Sequence, residues 1–380
     1  MIGQGLFIFM MLVLSFQINA DSNTKLVKNL EERFSSLSSG SALIKSYPHH
    51  SQSYIYDQAL AIIAFSKAKK KNKAQELLRG LEKLQLQDGS LYFSYYLDGT
   101  SPYPIEGDKR FAGAIAWVAI AATHFQAAFA SKEFKPFNEK ILNYLQTQVH
   151  KISINDQSVW AVAFAPSDIK ATPWNEKKVA ALEHNLDVYR AFVNFQMINP
   201  ERAEEFKPLI QNVGEFILAL WDTDRQHFWS GANIENGLIN KEELYLDNQS
   251  WSLLAMDEAL LKKINPHKAL QFNCKNFLVQ DGEIEGFMDS RPTNRPSRYQ
   301  FVWSEGSAGQ ILAMKKTQPH FSCSSKKDGD FLKEVKKMMT SDGGIAYASS
   351  AENPDFTTSS SVAGTTWFYF ATNNINPFQP

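Results

Sequence analysis

The chain is poor in several things that would each have named a function class. Among 380 residues there are two cysteines, Cys274 and Cys323, and neither sits in a Cys-x-x-Cys pair. That excludes a zinc ribbon and a disulfide-built miniature fold. An even count still permits one bridge in an oxidising compartment, and two separate thiols remain the alternative. No excess of positive charge is present: 39 Lys and Arg stand against 40 Asp and Glu, for a net charge of -1. The basic residues are scattered, so the electrostatic footprint of a nucleic-acid binder is missing. Beyond the N-terminus we read no run as long and apolar enough to cross a membrane. No residue pattern calls for a metal or an organic cofactor.

What is present is apolar and aromatic. Residues of apolar type make up 44% of the chain and aromatics 13%, enough for a large core. The first residues hold an apolar run, Leu6–Phe16, then Ile18-Asn19-Ala20 before Asp21. A short apolar stretch ending at a small residue is the layout of a cleaved secretory segment, here 1–20. The mature part, 21–380, is then expected as one domain, monomeric, periplasmic or secreted, and without stable membrane insertion.

From there the chain alternates two kinds of helix. One kind is amphipathic: Asn23–Ser35, Lys73–Gln87, Phe134–His150, Ala203–Trp221, Pro266–Val279 and Asp330–Met339. The other is apolar on nearly every side and rich in small residues: Tyr54–Ala68, Arg110–Phe125, Glu183–Met197, Asp247–Leu261, Glu305–Met314 and Ser361–Thr372. A helix apolar all round belongs inside, and an amphipathic one covers it. Between the pairs, Asp turns lead into aromatics, as in Asp88-Gly89 before Tyr92-Phe93, Asp222-Thr223-Asp224 before Phe228, Asp281-Gly282 before Phe287, and Asp342-Gly343 before Tyr347. These joints recur at intervals of roughly 55–70 residues, which marks one unit used repeatedly. Six alternating pairs close most simply as two concentric rings, an all-α (α/α)6 barrel.

The inner segments start alike. Tyr56-Asp57, Glu183 with Asp187, Asp247 and Trp303-Ser304-Glu305 put an acid or an aromatic where each inner helix begins. A first-turn acid is also what the helix dipole favours for structure alone. Five acids near the starts of four inner helices nonetheless suggest one pit lined with carboxyls. Acid–base cleavage at an oxygen uses two: one to protonate the leaving oxygen, one to activate water or attack. The candidates are Glu305, Glu183, Asp57, Asp187 and Asp247, with Glu305 as acid and Asp57 or Glu183 as base. Tyr56, Trp117, Trp251, Trp303 and Trp367 are candidate sugar platforms, or core. Arg110 is a candidate clamp for a sugar carboxylate, or an ion pair. His184 is a candidate proton-transfer group, or a structural histidine.

The segments Tyr56-Asp57-Gln58-Ala59-Leu60-Ala61, Glu183-His184-Asn185-Leu186-Asp187, Trp303-Ser304-Glu305-Gly306 and Val362-Ala363-Gly364-Thr365-Thr366-Trp367 resemble the six-hairpin glycosidase-like (α/α)6 toroids. The resemblance runs from Tyr54 to Phe378 and implies carbohydrate chemistry on a poly- or oligosaccharide: hydrolysis first, elimination or epimerisation next, or glycan or protein binding without turnover. Terpene cyclases carry turns like 85–93, but their Asp-Asp-x-Asp pattern is missing here.

Overall fold

The computed structural model describes residues 23–99, 108–169, 176–319 and 321–380. The expected secretory segment lies outside them. Inner helices α2 (Ile55–Lys67), α4 (Ala112–Phe129), α6 (Leu182–Ile198), α8 (Leu246–Ala255), α11 (Ser304–Thr317) and α13 (Val362–Thr372) each pack on the next, and α13 packs back on α2. The ring is therefore closed. Outside it lie α1 (residues 23–32), α3 (Lys71–Leu84), α5 (Lys135–Thr147), α7 (Ala203–Ala219), α10 (Pro266–Phe277) and α12 (Asp328–Lys336). The outer helices α3, α5, α7, α10 and α12 cover their inner partners through one apolar stripe, as Leu77, Leu78 and Leu81 do from α3. On α4 the buried face runs from Ala112 to Phe125 without a break.

Three expectations need correction. The class is not strictly all-α: nineteen short strands pair at the joints among the described residues. The Ser/Gly stretch after α1 is one of them, a hairpin of Phe34–Ser38 with Ser41–Ile44, turned at Gly40. The segment Asp247–Leu261 is not one helix. It breaks at Met256, and Asp257 accepts from Leu260 N to cap a separate turn, α9 (Glu258–Leu261). Finally, α4 is long and apolar enough to cross a membrane, contrary to the sequence reading, but most of it is buried inside the ring.

The helix register explains what faces the axis. Five inner helices begin directly at an extended residue with no side-chain cap: Tyr54, Phe111, Ala181, Tyr245 and Trp303. Their second residues are Tyr56, Gly113, Glu183, Asp247 and Glu305, and that of α13 is Ala363. One turn deeper, at i+4, come Leu60, Trp117, Asp187, Trp251, Gly309 and Trp367. The three indoles meet there: Trp251 stacks on Trp367 at 5.4 Å, and Trp117 stands edge-on to both at 5.7 and 6.1 Å.

Below the indoles the ring is stopped by the segment after α13. The Phe378 ring lies 4.7 Å from Trp117, 5.6 Å from Trp251 and 6.3 Å from Trp367. Its carbonyl accepts from Arg190 Nε and Asn194 Nδ2, both at 2.8 Å, and Asn376 Nδ2 donates to Leu254 O at 2.8 Å. Four inner helices are thus tied by one segment. Phe378→Ala leaves a void under the indoles and should cost about 3–5 kcal/mol, read from the denaturant midpoint. Cys274 on α10 and Cys323 are bridged, with Cα atoms 5.4 Å apart and 49 residues between them in sequence. A loop of that length gives about 4 kcal/mol by chain entropy, so a reducing agent should lower the melting temperature by several degrees.

Candidate active site

The upper end of the ring opens into a cavity of about 410 Å³, within the range of sugar-sized ligand sites. Its lining includes Asp57, Glu183, Asp187, Asp247 and Glu305, so acids spread over most of the sequence meet in one place. Tyr56, Trp117, Trp251, Trp303 and His184 line it too. Two named candidates are placed elsewhere. Arg110 turns to Asp168 at 2.6 Å and Asp88 at 3.4 Å and is not a lining residue. Trp367 is fully buried beneath the wall, where its Nε1 donates to Tyr56 Oη at 2.8 Å. Sequence reasoning missed Tyr47, Tyr54 and Asp355, which also line the cavity. Tyr54 had a readable cue: the residue just before an inner helix is aromatic at Tyr54, Phe111, Tyr245 and Trp303, and three of these four reach the cavity.

The carboxyls differ in their surroundings. Glu305 is 3% exposed and accepts a hydrogen bond from the Tyr56 hydroxyl, itself held by Trp367. Burial pushes its pKa up to about 8. Asp57 is raised to about 7 by burial, although the Ser46 hydroxyl, Arg33 and the Ala363 N–H all favour its charge. Glu183 and Asp247 sit within hydrogen-bond reach of each other. Glu183 is raised well above the usual range by burial and by the Asp247 charge, so it holds the shared proton. Asp247, like Glu183, is only partly buried. It accepts that proton and the Asn248 N–H at 2.7 Å, and reaches only about 6, again through burial.

Asp187 lies deeper, 2% exposed, and is raised by burial and by the charges of Glu183 and Asp247. It stands where α4 and α6 come closest. A Cβ on Gly113 would fall 2.4 Å from His184 Cδ2 and 2.8 Å from Asp187 Oδ2, so only glycine fits there. Trp117 Nε1 faces Asp187, yet neither that nitrogen nor Asp187 Oδ1 finds a partner at hydrogen-bonding geometry. His184 stacks on Phe164 at 3.8 Å, and burial lowers its pKa to about 3, which keeps the imidazole neutral.

The helix dipole would favour the ionised form of these acids by about 1 kcal/mol, and by no more than about 2. Desolvation acts the other way and is larger: moving Glu305 from 4.5 to about 8 outweighs it severalfold. Neither Asp57 nor Glu183, the sequence candidates for base, is depressed by its helix: both are raised.

No protein-family model and no curated protein sequence matches the chain. Solved structures do match it along nearly its whole length. A glycosidase in complex with glucose superposes with a TM-score of 0.66 at 9% identity, over 96% of this chain and 99% of that one. This chain has the fold of the six-hairpin (α/α)6 toroids. A sugar epimerase from a ruminal bacterium gives the toroid a TM-score of 0.66 at 12% identity, over 94% and 99%. An alpha-amylase from Clostridium perfringens gives 0.63 at 11%, over 93% and 97%. At these identities the likeness is one of fold.

The toroid's acids make its stability depend on pH in a stated direction. Glu305 and Asp57 keep their protons to about 8 and about 7 when folded but lose them near 4.5 and 3.8 when unfolded. Folding then takes up protons, so stability is greatest at low pH and is lost as pH rises through the folded values. The buried imidazoles of His124 and His184, lowered to about 3 from 6.5, act oppositely, but only below 6.5. Between pH 6.5 and 8 the melting temperature should fall, and it should fall less in Glu305→Gln.

Proposed function

We propose that this toroid is an exported glycoside hydrolase acting as a monomer on a poly- or oligosaccharide, with Glu305 as general acid and Asp247 as general base. The observation that carries the reading is one aromatic-walled cavity in which carboxyls occupy different proton environments. Such separation is how two like groups take opposite roles. Glu305, dry and protonated at neutral pH, would give its proton to the glycosidic oxygen as the bond to the anomeric carbon breaks. Asp247, partly exposed and the most readily ionised of the five, would take a proton from the water that attacks that carbon. Glu183 holds the proton beside Asp247, and Tyr56 steadies Glu305. Trp303 and Tyr347, both lining the cavity, offer aromatic surface suited to the C–H faces of sugar rings.

Two features favour hydrolysis over elimination or epimerisation. His184 is stacked and neutral, with a pKa too low for it to accept a proton near neutral pH. Among the described lining residues there is no Lys or Arg to clamp the carboxylate of a uronic acid. The bridge between Cys274 and Cys323 supports export to the periplasm or beyond, since disulfides persist in oxidising compartments.

Release of reducing ends from a panel of neutral oligosaccharides tests the reading. Glu305→Gln and Asp247→Asn should each lower kcat by roughly 10²–10⁴-fold while the protein stays folded. A product absorbing in the ultraviolet, with no new reducing end from water, would instead reveal a lyase. The kcat/KM profile should be bell-shaped, with limbs near 6 for Asp247 and near 8 for Glu305. Tyr56→Phe removes a donor that favours the ionised Glu305, so the alkaline limb should move upward.

A further inference from the structure

The cavity has more acid than bond cleavage needs. Asp57, Glu183, Asp187, Asp247, Glu305 and Asp355 all line it, and none of the described lining residues is a Lys or Arg. Most of these acids are engaged. Glu305 has Tyr56, Asp57 has Ser46 and the Ala363 N–H, and Glu183 and Asp247 have each other. Asp187 stands apart: it is 2% exposed, faces the cavity, and its Oδ1 has no hydrogen-bond partner. A buried acceptor left in this state costs stability unless a ligand supplies the donor. Among the described residues no group of His, Cys, Asp and Glu is arranged to hold a metal ion. Beside Asp187, Trp117 Nε1 faces the carboxyl and favours its charged form, without closing a bond of hydrogen-bonding geometry to it.

Resting on the hydrolase reading, we propose that Asp187 is the binding site for the ammonium group of an amino sugar, so that the substrate class is a cationic, glucosamine-type oligosaccharide rather than a neutral or uronate one. An ammonium brings donors to Oδ1 and places a positive charge among carboxyls that otherwise repel one another. Burial and the Glu183 and Asp247 charges keep Asp187 protonated in the empty site. The cation would reverse that balance, and binding would release a proton.

Calorimetric binding of glucosamine oligomers, neutral gluco-oligomers and calcium chloride alone tests this, with wild type and Asp187→Asn, at pH 6 where the sugar amine carries its proton. The expected result is tighter binding of glucosamine oligomers than of neutral ones, weakened by salt. Asp187→Asn should lose at least ~10-fold for the glucosamine oligomers and little for the neutral ones. Equal affinity for the two sugars in wild type, an equal loss for both in the variant, or calcium binding that Asp187→Asn abolishes would each overturn the subsite. Turnover is scored separately. Glucosamine oligomers that bind through Asp187 but stay uncut leave the subsite standing and remove the hydrolase reading. A neutral glucan that is cut while glucosamine oligomers fail to bind does the reverse.

Discussion

Taking carboxyl groups out of water without giving each a cation is the constraint on which this molecule turns. A lone buried carboxylate is costly, and a protein meets that cost by pairing the charge or by keeping the proton. Here the proton is kept. Tyr56 at Glu305 and Glu183 at Asp247 distribute hydrogen bonds so that neighbouring acids come to rest at different proton affinities. The same burial that makes the ring rigid therefore sets the chemistry of its open end. Among the described residues the guanidinium that acts on the group is that of Arg33, behind Asp57, where it joins Asn29, Ser46 O, Asp342 and Ser360 in anchoring the first hairpin.

The geometry follows from helix register. Each inner helix starts abruptly from an extended residue, so its second residue and the one four further on point along the axis. The first set holds Glu183, Asp247, Glu305 and Tyr56; the next holds three tryptophans and Asp187; Phe378 closes the stack. Small residues at Gly113, Ala363 and Gly309 make room for the large and charged ones opposite.

Much of this was legible in the chain, because it is periodic. Alternating apolar and amphipathic helices, and acids at equivalent starts, are short-range patterns that repetition makes visible. What stayed hidden depends on partners distant in sequence. Arg110 reads as a clamp or an ion pair, and Asp168, on a separate loop, makes it the ion pair. Trp367 reads as a platform or core, and Trp251 and Phe378 bury it as core. Phe378 itself belongs to no period. The proton affinities of Asp57 and Glu183 stayed hidden because position within a helix is written in sequence, whereas depth of burial is a property of the closed ring. The break at Asp257 was a local cap within an otherwise continuous apolar run.

The account stands most directly on whether Glu305 carries a proton at neutral pH in the empty cavity. A carbon-13 NMR titration of the glutamate side-chain carboxyls, with Glu305→Gln to assign the resonance, measures it. The account predicts a midpoint near 8 for Glu305. A midpoint near 4.5, the value of an ordinary glutamate in water, would contradict it.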